Sequence, residues 1–301
     1  GAGISVWMSD QGSDVIIGAS AANTVRGYAS IYTYDGSAWQ QVGSDITGAQ
    51  NGDATGWSVS MSRDGDVVAI GSPQSDITAA GYASIYTLTS GSWSIMGSAL
   101  TGLTNGDKYG WCVSLSGDGT RVAVSDQGGD VGSVRVYEWV DPVWIQVGNT
   151  LVGDTTEADK FGFSLTLDGG GTRILIGAPD YKTVARNTGY SAIYELAPSG
   201  IQVWEKIEYS IPGKVLGDNY GHTVALSRDG TKAAVSSRTA DDRGRVDIYN
   251  IAVGHHIYTE TAGFSPPAPP VITVSYGGGN TYTVDTSVTS VTSGTSVTAV
   301  A

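Results

Sequence analysis

Four aspartates recur at one place in the chain. Asp53, Asp107, Asp159 and Asp218 each stand with two residues between them and a glycine, at Gly56, Gly110, Gly162 and Gly221. Carboxylates repeated in register could form a ring for a ligand or cation, or each could cap the N–H groups of its own loop as an Asx turn does. Their presence in every such copy favours capping, because a binding site usually breaks symmetry. Glycoside hydrolysis asks for two carboxyl groups roughly 5 to 9.5 Å apart. The segments that follow the glycines read Ser58-Val-Ser-Met-Ser, Cys112-Val-Ser-Leu-Ser, Ser164-Leu-Thr-Leu and Thr223-Val-Ala-Leu-Ser, with Ser5-Val-Trp-Met-Ser upstream. None carries an acid, and Asp168 stands only at the end of its segment, so a hydrolytic pair is hard to assemble.

Other reactive groups are sparse. The histidines are His222, His255 and His256, and the adjacent pair alternates across an extended chain, so both rings cannot easily face one metal. Gly169-Gly-Gly171 and Gly117-Asp-Gly119 look like phosphate loops, yet each joins two strand-like runs and lacks the helix that supplies an anion site. No Gly-x-Ser-x-Gly elbow is present. A single cysteine, Cys112, excludes a disulfide or a Cys-based metal site within the chain. The expectation is a non-enzymatic protein with no cofactor and no metal.

Composition points to strands. Gly accounts for 43 of 301 residues, Leu, Glu and Lys are scarce, and eight Trp with sixteen Tyr argue against disorder. A net charge of -13 without a basic cluster opposes nucleic acid and anionic membrane surfaces. No apolar run approaches the ~20 residues of a membrane helix. The N-terminus shows no basic-then-apolar leader, which reads as a processed form or a segment of a larger protein.

The elements that position these groups repeat. Gly3-Ile-Ser-Val, Gly56-Trp-Ser-Val, Gly110-Trp-Cys-Val, Gly162-Phe-Ser-Leu and Gly221-His-Thr-Val are spaced by 53, 54, 52 and 59 residues. Each leads through a Gly-containing turn into an apolar run such as Val67 to Ile70, the pattern of a β-hairpin. A third strand follows in Gly27-Tyr-Ala-Ser-Ile-Tyr32, Gly81-Tyr-Ala-Ser-Ile-Tyr86, Gly132-Ser-Val-Arg-Val-Tyr137, Gly189-Tyr-Ser-Ala-Ile-Tyr194 and Gly244-Arg-Val-Asp-Ile-Tyr249. A fourth carries Trp39, Trp93, Trp144 or Trp204, with His256-Ile-Tyr in the last copy. Four strands per ~50 residues describe a propeller blade, which buries both faces only by stacking on its neighbours. The expected fold is all-β, a five-bladed β-propeller of four-stranded antiparallel blades over residues 1–262, with blades near 3–55, 56–109, 110–161, 162–220 and 221–262. The recurring Trp and Tyr read as filler between blades, and so does His222, which takes the place of Trp57, Trp111 and Phe163.

On these residues the chain resembles the FG-GAP repeats of the integrin α-chain propeller. Tyr109-Gly110, Phe161-Gly162 and Tyr220-Gly221 match the first half of the motif, Gly177-Ala178-Pro179 the second, and Gly71-Ser72-Pro73 and Gly18-Ala19-Ser20 are variants. The wording is most similar to a divergent branch in surface proteins of algae, microbes and their large viruses. The resemblance implies ligand binding on an upper face, where the fourth strand of one blade leads to the first of the next and the second leads to the third. It implies turns beneath that bind calcium in many relatives, but here those turns offer one or two carboxylates where calcium needs six to eight oxygens. The resemblance therefore points to an extracellular, cell-surface or virion-surface module that binds a protein or a glycan. The alternatives are a glycan-processing enzyme on the same scaffold, or part of a larger seven-bladed adhesion protein. The expected ligand site lies in the loops that differ most among repeats, with Tyr181, Lys182 and Arg186 in the fourth blade and Arg238, Asp241, Asp242 and Arg243 in the fifth, beside Asp159-Lys160.

Beyond the last repeat, residues 263–270 include Ser265-Pro-Pro-Ala-Pro-Pro270, a stiff linker, and residues 271–301 form a Thr/Val/Ser-rich tail. About thirty such residues bury too little to be stable alone, so the tail needs a partner: it begins an immunoglobulin-like module, pairs with another subunit or lies along the propeller, and the expectation is order through another chain or module.

Overall fold

A computed structural model describes residues 2–20, 26–74, 78–128, 131–153, 159–180, 182–183, 186–197, 202–207, 210–214, 217–238, 244–251, 257–260, 271–276 and 280–285. They form an all-β propeller without a helix among the described residues. Five antiparallel sheets follow the five repeats. The second blade is typical: Ser58–Met61 is its inner strand, Val67–Ser72 and Tyr82–Thr89 follow, and the fourth position is shared by Ser92–Ile95 and Leu100–Thr101, which both pair with Tyr82–Thr89. The single fourth strand expected from sequence is thus broken in two. Gly43, Gly97 and Gly148 sit at the break with φ of 70°, 75° and 72°, a conformation that opens the extended chain.

Four apolar clusters lie between successive blades, and they explain the alternation of the inner strands. Val59 and Met61 face Ile16 and Ile31 of the first blade, Val113 and Leu115 face Ala69 and Ile85 of the second, and Leu165 and Leu167 face Val134 and Val136 of the third. Val224 meets Leu175 and Ile193 of the fourth. The hydroxyl residues point the other way. Val59 N–H donates to Ser5 Oγ (3.1 Å), Val113 N–H to Ser58 Oγ (3.0 Å), Leu115 N–H to Ser60 Oγ (3.0 Å) and Leu167 N–H to Ser114 Oγ (3.0 Å). The inner strands of the first three blades therefore offer hydrogen-bond acceptors forward, satisfying an edge whose N–H groups would otherwise be buried unpaired.

The motif glycines meet across these interfaces. A Cβ built on Gly18 would lie 2.0 Å from Gly56 O, one on Gly71 2.0 Å from Gly110 O, and one on Gly177 2.0 Å from Gly221 O. Only glycine lets two backbones pass this closely. The aromatic residue before the second glycine is fully buried in three copies, as Tyr109, Phe161 and Tyr220.

Beneath the blades, the turns joining first and second strands are linked in a chain. Asp10 N–H donates to Arg63 O (3.0 Å), Arg63 N–H to Gly117 O (2.7 Å), Gly117 N–H to Gly169 O (2.9 Å) and Gly169 N–H to Arg228 O (2.7 Å). The Arg228 guanidinium returns to the Asp10 carboxylate. The inner strands enclose a central cavity of about 300 Å³, lined by Trp7, Met61, Leu115, Leu167 and Leu226, one from each blade.

In the fifth blade, Tyr220–Leu226, Lys232–Ser237, Arg245–Ile251 and Ile257–Glu260 are followed in the same sheet by Val271–Tyr276 and Asn280–Asp285. The tail that was expected to lean on another chain is paired over these residues with the outer edge of its own fifth blade. The linker 263–270 and residues 286–301 lie outside the described residues.

Candidate functional site

The recurring aspartates point into their own loops. Asp53 accepts hydrogen bonds from Tyr82 Oη (2.6 Å), Gln74 Nε2 (2.8 Å) and Gln50 N–H (2.9 Å). Asp107 accepts from Leu103 N–H (2.9 Å) and Thr104 N–H (2.8 Å), Asp159 from Phe161 N–H (3.0 Å) and Tyr190 Oη (3.0 Å), and Asp218 from Lys214 N–H (3.0 Å). The residue after each aspartate is left-handed without being glycine: Ala54, Lys108, Lys160 and Asn219 have φ of 55°, 54°, 54° and 49°. Such a conformation is costly for most side chains, and the carboxylate bonds hold the loop in it.

The residue that follows each repeat glycine lies at the upper end of an inner strand, opposite the linked lower turns. Trp57, Trp111, Phe163 and His222 stand there as a half-buried arc running from the second blade to the fifth. Trp57 and Trp111 have ring centroids 4.8 Å apart, Trp111 and Phe163 5.7 Å, and Phe163 and His222 5.1 Å, with tilts of 48° to 52°. Neighbouring rings in contact at such tilts are a favoured aromatic arrangement that leaves part of each face accessible. Burial, and the nearby Arg238 charge, push the His222 imidazole below the ordinary histidine value, with Asp180 opposing the shift. The ring is therefore neutral at neutral pH. Lys160 Nζ lies 2.6 Å from Asp180, whose charge acts on His222 at the end of the arc.

Sequence reasoning took these four rings for packing between blades. They do touch one another from blade to blade, as half-buried rather than fully buried rings. The signal available in the sequence was their position, directly after the repeat glycine at the entry to the inner strand. Of the predicted ligand residues, Arg238 is exposed and within electrostatic reach of His222. Lys182 and Arg186 belong to a two-stranded hairpin, Lys182–Thr183 with Arg186–Asn187, for which only the backbone is described. Tyr181, Asp241, Asp242 and Arg243, like His255 and His256, lie outside the described residues. The Trp residues of the fourth strands are divided: Trp204 is buried, Trp93 and Trp144 are half-buried, and Trp39 is exposed.

The lower turns keep their carboxylates for themselves. Asp168 Oδ1 accepts from Thr172 N–H (2.8 Å) and Arg173 N–H (3.0 Å), and Asp229 Oδ1 accepts from Ser227 Oγ (2.6 Å), Thr231 Oγ1 (2.7 Å) and Thr231 N–H (3.0 Å). Among the described residues no group of three or more His, Cys, Asp or Glu side chains could hold a metal ion. The bonds from Ser227 and Thr231 hold the Asp229 carboxyl down to about 2. A group lowered on folding contributes stability above its unfolded value and loses it as the pH falls through the folded one. The Asp229 carboxyl carbon should accordingly titrate near 2 by NMR, and Ser227→Ala with Thr231→Ala should move it back toward 3.8. A midpoint already near 3.8 in the unaltered protein would show that the turn does not hold the carboxylate.

No family model matches the sequence, and comparison with curated proteins gives no match. Solved structures are similar in fold. A candidate 6-phosphogluconolactonase from Bacteroides uniformis superposes with a TM-score of 0.52 at 12% identity, over 84% of this chain and 82% of that one. Hydrazine synthase from Kuenenia stuttgartiensis gives 0.56 at 11% identity, over 86% and 66%. A protein from Lactobacillus plantarum gives 0.54 at 11%, over 94% and 84%. Likeness at this level concerns the fold alone.

Proposed function

We propose that this chain is a non-catalytic binding propeller of a divergent FG-GAP type, and that it takes a neutral glycan at the upper mouth of its channel. The observation that carries this reading is the arc of Trp57, Trp111, Phe163 and His222. Sugar rings stack their C–H faces on aromatic faces, and a neutral imidazole adds a donor and an acceptor for hydroxyl groups. Lys160, Asp180 and Arg238 supply further hydrogen bonds at the rim. The net charge of -13 disfavours an anionic glycan. A binding role rather than hydrolysis is supported by inner strands without acids and by Asp168 being occupied by its own turn. Display outside a cell or on a virion belongs to the same proposal and rests on the FG-GAP resemblance.

The test is an array of neutral cello-, chito- and manno-oligosaccharides probed with the unaltered protein and with Trp111→Ala. Binding should fall by roughly 10- to 100-fold for a central aromatic anchor, with the melting temperature little changed because Trp111 is only half-buried. Equal binding by both proteins would move the site away from the arc.

A further inference from the structure

The lower end of the central cavity is floored by one side chain. At the repeat position after Ser9, Ser62, Ser116, Asp168 and Ser227 the chain carries Asp10, Arg63, Gly117, Gly169 and Arg228. The two glycines leave the third and fourth blades without a side chain there, and Arg228 of the fifth blade lies across them. A Cβ on Gly169 would stand 2.5 Å from its Cγ, and one on Gly117 3.4 Å from its Nη1. The guanidinium reaches the first blade, where Nη2 donates to Asp10 Oδ1. Among the described residues the other N–H groups of Arg228 have no acceptor, and Asp10 Oδ2 has no donor. Both residues line the cavity.

Above this floor the walls are apolar. Trp7, Met8, Leu115, Leu165, Leu167 and Leu226 border a space of about 300 Å³, and Trp7 and Met8 are 37% and 50% exposed. At ~30 Å³ for each water in the liquid, and a similar volume for a methylene, such a space takes a chain of about six to eight carbons with one polar end. The floor selects that end. A hydroxyl can accept from the unused N–H groups of Arg228 and donate to Asp10 Oδ2 at once. A carboxylate lacks the second half of that match and meets both Asp10 and a net charge of -13; an ammonium group lacks the first half and meets the guanidinium.

We infer that the lower part of the central cavity is a binding site for neutral aliphatic alcohols, with the hydroxyl on Arg228 and Asp10 and the chain against Trp7, Leu115, Leu167 and Leu226. The site lies at the opposite end of the inner strands from Trp57, Trp111, Phe163 and His222, and it does not rest on the glycan reading.

Methionine methyl NMR on the full chain tests this, because the three methionines divide cleanly. Met8 and Met61 line the cavity, whereas Met96 packs in the cluster between the second and third blades. Titration with 1-butanol, 1-hexanol and 1-octanol should move the Met8 and Met61 signals saturably and leave Met96 in place. Affinity should rise about 4-fold for each added methylene, and octanoate and octylamine should bind at least ~10-fold more weakly than 1-octanol. Ala225 is exposed and lines the cavity, so Ala225→Phe should fill it and weaken 1-octanol at least ~10-fold without lowering the melting temperature. Arg228→Met should weaken 1-octanol about 10-fold by removing the donors. Equal shifts at all three methyl groups, an affinity indifferent to chain length, or binding unchanged by Ala225→Phe would overturn the site. Octanoate or octylamine binding as tightly as 1-octanol would overturn the assigned ligand.

Discussion

Gly177→Ala is expected to lower the melting temperature by roughly 10 °C. The added carbon would sit 2.0 Å from the Gly221 carbonyl oxygen and 2.5 Å from Ser164 Oγ. Overpacking in a well-packed interior costs about 1–3 kcal/mol and occasionally more. Here the obstacle is backbone on the facing blade, so the upper end applies. At ~2–4 °C per kcal/mol for chains somewhat smaller than this one, about 3 kcal/mol gives the stated fall. The third blade provides the contrast. Ser125 holds the same repeat position there and is fully buried, so that interface already accommodates a Cβ. Ser125→Ala loses the hydrogen bond from Cys112 N–H (3.0 Å) and the longer one to Cys112 O (3.5 Å) and should cost about 1 kcal/mol. Thermal unfolding of the two variants side by side checks the claim that paired glycines set the distance between blades. Similar small shifts for both would refute it.

Phe161→Ala is expected to destabilise by about 3–5 kcal/mol, the usual cost of removing a buried aromatic ring. Phe161 is fully buried between the third and fourth blades, with ring centroids 6.4 Å from Tyr190 and 6.2 Å from Tyr194. Its loss would open a cavity among the most tightly packed residues of the chain. Phe161→Tyr should be far milder. In the neighbouring copies Tyr109 donates its hydroxyl hydrogen to Tyr137 (2.9 Å), and the Tyr220 and Tyr249 hydroxyls are also bonded to each other. Tyr194 stands at the corresponding place opposite Phe161. Denaturant unfolding that found the two substitutions equally damaging would mean that the phenol has no partner there.

The propeller was legible because its repeat is written in residues with few alternatives. Gly177 and Gly221 must be glycine for the backbones to pass, and the Ser-x-Ser alternation of the inner strands serves a hydrogen bond that recurs at successive interfaces. What the sequence hides is whether a face finds its partner. Val6 and Met8 read the same as Val59 and Met61, since local pattern specifies which side is apolar and cannot show that Val6 and Met8 are left exposed. The candidate site was obscured for a related reason. Trp57, Trp111, Phe163 and His222 repeat as regularly as core residues do, and attention fell instead on the variable loops with Tyr181 and Arg186. Regularity at the axis brings residues from different blades together, so a repeated position can itself build one site.

Ligand binding at the channel mouth is tested most directly by amide and indole chemical-shift mapping with the oligosaccharide selected on the array. The largest changes are expected to cluster at Trp57, Trp111, Phe163 and His222, with the Trp57 and Trp111 indole N–H signals among them. Shifts confined to the lower turns around Asp118 and Asp229, or to the outer strands of the blades, would contradict it.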